Sequence, residues 1–224
     1  MFKEGQQEGQ ESERYDWGLA FEVGGETAEE ARRLSSLISR RVKTSFYLDK
    51  DRIPHVTLFQ GNLTSERIAE AQNIAREVLK QGARLPKLRM ATNLTVRPNG
   101  NIWWNAAPSP ELRQLHLSLN ENLRPLTEGR VLRQFEKDLQ NPALPAQHRG
   151  QLLNYGSLSA GERYLPHITL GRIVDANDGR WVAYQTPTPT ELVWSGVVAG
   201  KLDEQGQFSE VSDIGSGANP EQTR

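Results

Sequence analysis

Four histidines are spread over 224 residues, and two of them occupy the same frame: Pro54-His55-Val56-Thr57-Leu58 and Pro166-His167-Ile168-Thr169-Leu170. They lie 167 − 55 = 112 residues apart. At ordinary residue frequencies a second such match in a chain of this length is expected on the order of once in a thousand sequences. In a β-strand, residues two apart face the same side, so each copy would present an imidazole and a hydroxyl together and turn its aliphatic neighbours to the core. Imidazole titrates near neutrality, so one histidine can serve as a base while its partner, held protonated, serves as an acid. Placed on opposite sides of a phosphorus atom, such a pair could drive displacement without a metal ion or any other cofactor. The hydroxyls of Thr57 and Thr169 would donate to the non-bridging oxygens, where charge accumulates.

A single His-x-Thr in a strand is ordinary, because threonine favours strands; the duplication within shared flanks is what carries weight. His116-Leu117-Ser118-Leu119 fits a looser form of the motif but lies in a helical pattern, where His116 and Ser118 point in different directions, and is set aside. His148, in Ala146-Gln147-His148-Arg149-Gly150, reads as a surface or loop residue.

The elements that must position the two strands follow from periodicity. Residues 1–14 and 215–224 are polar and read as disordered tails, leaving a folded region over 15–214. A strand over Trp17 to Val23 precedes a helix over 28–42, with Thr27 and Glu30 forming a capping box. Extended structure through Pro54 to Gly61 leads to a second helix that carries Ile68, Ala71, Ala75 and Val78 and is closed by Gly82. Residues 88–96 and 101–106 flank the turn Pro98-Asn99-Gly100 as a hairpin. Ser109 and Pro110 start a third helix, whose face runs from Leu112 to Leu126. Two short helices surround the break Asn141 to Ala146. After the second motif a long loop leads to a final hairpin, 191–202 with 207–214. Helices and hairpins interleave in two halves, each holding one Pro-His strand, which makes an α+β chain of two lobes.

Composition narrows the chemistry. With no cysteine there are no disulfides, thiolate metal sites or cysteine nucleophiles. A net charge of −1 argues against a protein that coats long nucleic acid. Short basic clusters, Arg40, Arg41 and Lys43 or Arg84, Lys87 and Arg89, read first as solvated faces. No apolar run is long enough to cross a bilayer and no secretory leader is present, so a cytoplasmic monomer with no membrane partner is expected. Phosphate-loop, dinucleotide and zincin fingerprints do not occur. Asp49 and Asp51 lack metal-ligand spacing with His55.

Two His-x-[Ser/Thr] strands in such a chain resemble the 2H phosphoesterase superfamily, and Pro166-His-Ile-Thr-Leu-Gly-Arg172 is particularly similar to its 2′–5′ RNA ligase and RNA 2′,3′-cyclic phosphodiesterase branch. The resemblance implies a bilobal fold of two antiparallel sheets with outer helices, related by a pseudo-twofold axis. It further implies hydrolysis of nucleotide or RNA-end 2′,3′-cyclic phosphates to 2′-phosphates, with His55 and His167 as the acid–base pair and Thr57 and Thr169 as phosphate ligands. Some relatives act on 2′–5′ linked or cyclic oligonucleotides instead. The spacing between motifs exceeds that of compact members, which marks 128–162 as a helical insertion. Arg172 is a candidate phosphate contact, and Tyr47, Tyr164 and Trp103 or Trp104 are candidate base contacts. Of the two tryptophans, alternation sends one inward and one outward. A binding module that holds nucleotides without turnover is the alternative of a different class.

Overall fold

A computed structural model describes residues 12–81, 88–188 and 190–215. The expected tails lie almost wholly outside these residues, as do Gly82, Arg84 and Lys87. Eight strands form one antiparallel network. They are β1 (Arg14–Val23), β2 (Thr44–Tyr47), β3 (His55–Thr64), β4 (Met90–Val96), β5 (Asn101–Ala106), β6 (His167–Ile173), β7 (Trp194–Leu202) and β8 (Phe208–Gly215). Their order is β4, β5, β6, β3, β1, β7, β8, with β2 also paired to β6. The two sheets of the expected fold are thus two halves of one sheet, joined by the single pair Val56 and Ile168 between β3 and β6. These are equivalent residues of the two motifs.

Proline and a bulge set the width of that seam. Pro54 and Pro166, just before the histidines, have no N–H to give to a ladder. Their carbonyls accept instead from Val23 and Ala106, each at 2.9 Å, on the outer neighbours β1 and β5. On the other side of each His-x-Thr a bulge interrupts pairing. Thr57 and Phe59 face consecutive residues of β1, so Leu58 is extra; Thr169 and Gly171 face consecutive residues of β5, so Leu170 is extra. Between proline and bulge there is room for one rung.

One face of the sheet is covered by α1 (Gly25–Arg41), α2 (Ser65–Gln81) and α3 (Pro110–Leu123). Ala31, Leu34 and Ile38, then Ala71 and Ala75, then Leu112 and Leu119 bury the 3.6-residue stripes of these helices against Leu19, Phe21, Val56, Leu58, Ile102, Trp104, Ile168 and Leu170. Ser109 caps α3 as expected, accepting from the Leu112 N–H at 3.1 Å. Leu126 leaves α3 and falls in the 3₁₀ turn Arg124–Thr127. The capping box on α1 does not form. The helix starts earlier, after Gly24, and Thr27 and Glu30 lie inside it. Thr27 Oγ1 donates to the Glu191 carbonyl (2.5 Å), and Glu30 accepts from the Thr188 N–H (2.8 Å), so both tether the stretch that precedes β7 instead.

The segment 128–162 holds α4 (Arg133–Gln140) and α5 (Ala146–Tyr155) around the expected break. The stretch after β6, expected as a loop, contains a short helix, α6 (Gly179–Ala183). Among the described residues no helix is long and apolar enough to cross a membrane.

Candidate active site

Residues paired across antiparallel strands share a face. His55 pairs with Glu22, Thr57 with Ala20 and Gln60 with Gly18. His167 pairs with Asn105, Thr169 with Trp103 and Arg172 with Asn101. All of these lie on the face away from the helices. Each bulge shifts the alternation by one residue, so the third group on that face is Gln60 in one motif and Arg172 in the other, at matching positions.

In the frame of the Val56 and Ile168 pair, His55 lies on the side of Thr169 and Thr57 on the side of His167. Two residues along a strand span ~7 Å and neighbouring strands lie ~5 Å apart. The two histidines therefore take diagonal corners of one small rectangle and the two threonines the other diagonal.

Each ring is held the same way. The Nδ1–H of His55 donates to the Ile53 carbonyl and that of His167 to the Leu165 carbonyl, both at 2.8 Å. A carbonyl can only accept, so Nδ1 carries the proton in the neutral ring and Nε2 keeps its lone pair. Burial pushes the His167 pKa down to about 4, against the pull of the Leu165 carbonyl, with the positive charges of His55 and Arg97 adding to the fall. Burial also lowers that of His55, opposed by the Ile53 carbonyl and the Asp203 carboxylate. Burial thus disfavours the charged form of both rings. The His55 side, next to a carboxylate, is the more hospitable to a proton.

The surroundings of the two rings differ. His167 stacks on Trp103 at 3.7 Å and 19°, and the Arg97 guanidinium sits 4.4 Å from the Trp103 ring centre. His55 meets the edge of Phe208 at 4.9 Å. The turn from β7 to β8 lies beside both motifs. The Asp203 carboxylate accepts from the N–H groups of Gln205 (2.8 Å) and Gln207 (2.9 Å), and Gln205 Oε1 lies 3.5 Å from an Arg172 nitrogen. Arg172 also donates to the Asn99 carbonyl at 2.9 Å.

The bulge carbonyls are freed from the ladder and each is held by its own side chain. His116 Nδ1–H donates to the Leu58 carbonyl (2.6 Å), and its Nε2 accepts from the Gly161 N–H (2.8 Å). Its ring stacks on Tyr164 at 3.9 Å, and the Tyr164 hydroxyl donates to the Thr57 carbonyl at 2.9 Å. In the second motif the Ser35 hydroxyl donates to the Leu170 carbonyl at 2.6 Å. His116 is therefore a bulge pin, and Gly161 ties the segment 128–162 to it.

Three sequence-derived base contacts lie elsewhere. Trp104 is fully buried on the helix face, where its Nε1–H donates to the Ala91 carbonyl at 2.8 Å. The two tryptophans face opposite sides as alternation requires, with Trp103 on the site face, where it is nonetheless buried. Tyr164 is committed to His116 and Thr57. Tyr47, though exposed, pairs with Gly171 on the opposite face, while its neighbour Phe46 pairs with Arg172. Arg97, Gln60, Asn101 and Asn105 were not legible as site residues, because two one-residue bulges decide which face they share.

No protein-family model and no curated protein sequence matches this chain. Solved structures do. E. coli LigT in apo form is 14% identical, with a TM-score of 0.50, covering 90% of this chain and 95% of its own. TT0787 of Thermus thermophilus is 16% identical, with a TM-score of 0.50, covering 89% and 97%. A phosphoesterase at 14% identity covers 91% of this chain, with a TM-score of 0.45.

Proposed function

Starting from a chain with the fold of the 2H phosphoesterases, we propose that it is a phosphodiesterase that opens 2′,3′-cyclic phosphates of nucleotides or RNA ends to 2′-phosphates, with His55 and His167 as the acid–base pair. The observation that carries this reading is the diagonal pair of imidazoles, both with Nδ1 tied to a backbone carbonyl and Nε2 without a hydrogen-bond partner among the described residues. One Nε2 removes a proton from water as its oxygen attacks phosphorus. The other, as imidazolium, gives a proton to the departing 3′ oxygen, so one P–O bond forms and one breaks with no net change in protons. Thr57 and Thr169 donate to the non-bridging oxygens. An anionic phosphate seated between the rings favours the charged form of one of them, which takes its proton from solvent and offsets the effect of burial.

The test is incubation with nucleoside 2′,3′-cyclic phosphates in EDTA, with product position resolved. Metal-independent formation of the 2′-phosphate is expected, and His55→Ala and His167→Ala are each expected to abolish it while the fold persists. Saturable binding without product would replace the enzyme by a binding module. Preference for 2′–5′ linked or cyclic oligonucleotides would keep the chemistry and change the substrate. Near-normal rates in either variant would remove that histidine from the mechanism.

A further inference from the structure

The four central groups are alike on the two sides of the seam, but their neighbours are not. Beside His55 stand Glu22, its cross-strand partner, and Asp203. Beside His167 and Thr169 stand Arg97 and Arg172. Asn101 lies between these two arginines: its carbonyl accepts from the Arg97 N–H at 2.8 Å, and it is the register partner of Arg172. Among the described residues neither arginine forms an ion pair. At the matching position of the first motif the residue is the neutral Gln60.

This charged side also carries unfilled hydrogen-bonding capacity. Trp103 is 7% exposed, yet its Nε1–H is buried without a partner, and so are the amide oxygens of Asn101 and Asn105. Buried polar atoms left unpaired are uncommon and call for an explanation, of which a ligand is one. The three lie in one row of β5 that runs from Asn101, level with the two arginines, past Trp103 at Thr169 to Asn105 at His167. The row asks for negative charge and for hydroxyl donors at once, which a phosphorylated sugar supplies.

We infer that the site accepts nucleotides carrying a second phosphoryl group, which lies over Arg97 and Arg172 while a sugar hydroxyl meets Asn101. This rests on the phosphodiesterase reading for what occupies the centre. The binding is directional, because the reversed ligand would place its extra charge by Glu22 and Asp203 and find Gln60 where it needs Arg172. The probe pair is adenosine 2′-phosphate and adenosine 2′,5′-bisphosphate, titrated calorimetrically in EDTA against the full chain, the exposed-site variant Arg97→Gln, and Arg172→Gln. The bisphosphate is expected to bind about tenfold more tightly than the monophosphate to the unmodified chain, the size of one charge-assisted contact. That ratio is expected to fall toward one in both variants. Equal affinities in the unmodified chain, or a ratio that neither substitution moves, would overturn the second site. A preserved preference with no turnover of adenosine 2′,3′-cyclic phosphate, with or without a 5′-phosphate, would sink the hydrolase reading and leave the second site standing.

Discussion

His116 offers a measurement in which neutral and charged imidazole have opposite consequences. It is 3% exposed, its Nδ1–H is given to the Leu58 carbonyl, and its Nε2 receives the Gly161 N–H. Protonation would set a second N–H against that of Gly161, and burial holds the pKa down to about 4. In the unfolded chain it returns to about 6.5. The unfolded state therefore binds a proton below that value while the folded state refuses it until about 4, so stability must fall as pH falls through this window. At pH 5 the loss from this one group is about 2 kcal/mol, from the 1.36 kcal/mol carried by each pKa unit. His116→Leu removes the titration and leaves the Leu58 carbonyl and Gly161 N–H without partners, a cost of about 2–6 kcal/mol at pH 7.5. Urea unfolding of both proteins at pH 7.5 and pH 5 cancels what the other histidines contribute. The gap between the two proteins should narrow by about 2 kcal/mol on acidification. A gap of the same size at both pH values would refute the role given to the neutral ring.

Two further outcomes follow from the same physics. Both site imidazoles have lowered pKa values, so on the proposed mechanism the singly protonated form becomes more abundant on acidification, and kcat/KM for a 2′,3′-cyclic nucleotide should rise as pH drops from 7.5 and peak below 6.5, the unperturbed histidine value. A maximum at or above pH 7.5 would contradict it. Trp103→Leu removes the surface on which His167 rests and should lower kcat/KM by about tenfold or more while moving the profile toward neutrality, with Trp103→Phe restoring much of the rate; a leucine variant with unchanged rate and profile would count against positioning by the stack.

How much of this was legible beforehand depends on the range of the interaction. Ser109 with Pro110, and Asn99 with Gly100, report on their own backbone, and the helix and hairpin they announce are present. Thr27 and Glu30 carry the same kind of local signal, yet tertiary partners at Thr188 and Glu191 outcompete the cap. The strands holding both motifs were readable from alternation, but the faces beyond Thr57 and Thr169 were not. A bulge inserts one residue without a sequence marker, and it exchanges the faces of everything after it. Arg172 reaches the site face by that route, Tyr47 is carried off it, and Trp103 rather than Trp104 meets His167. His116 looked like an incidental match to the motif because its partners, Leu58 and Gly161, are 58 and 45 residues away.

The lone rung between the two halves is also a crease. A sheet flexes most readily along the line that fewest hydrogen bonds cross, and here that line runs between the two rings proposed to act together. Opening the crease would admit a substrate and pull the rings apart; closing it would grip the phosphorus and bring them into range. Access and chemistry would then be two ends of one motion, with proline and bulge on either side keeping the crease narrow enough to bend.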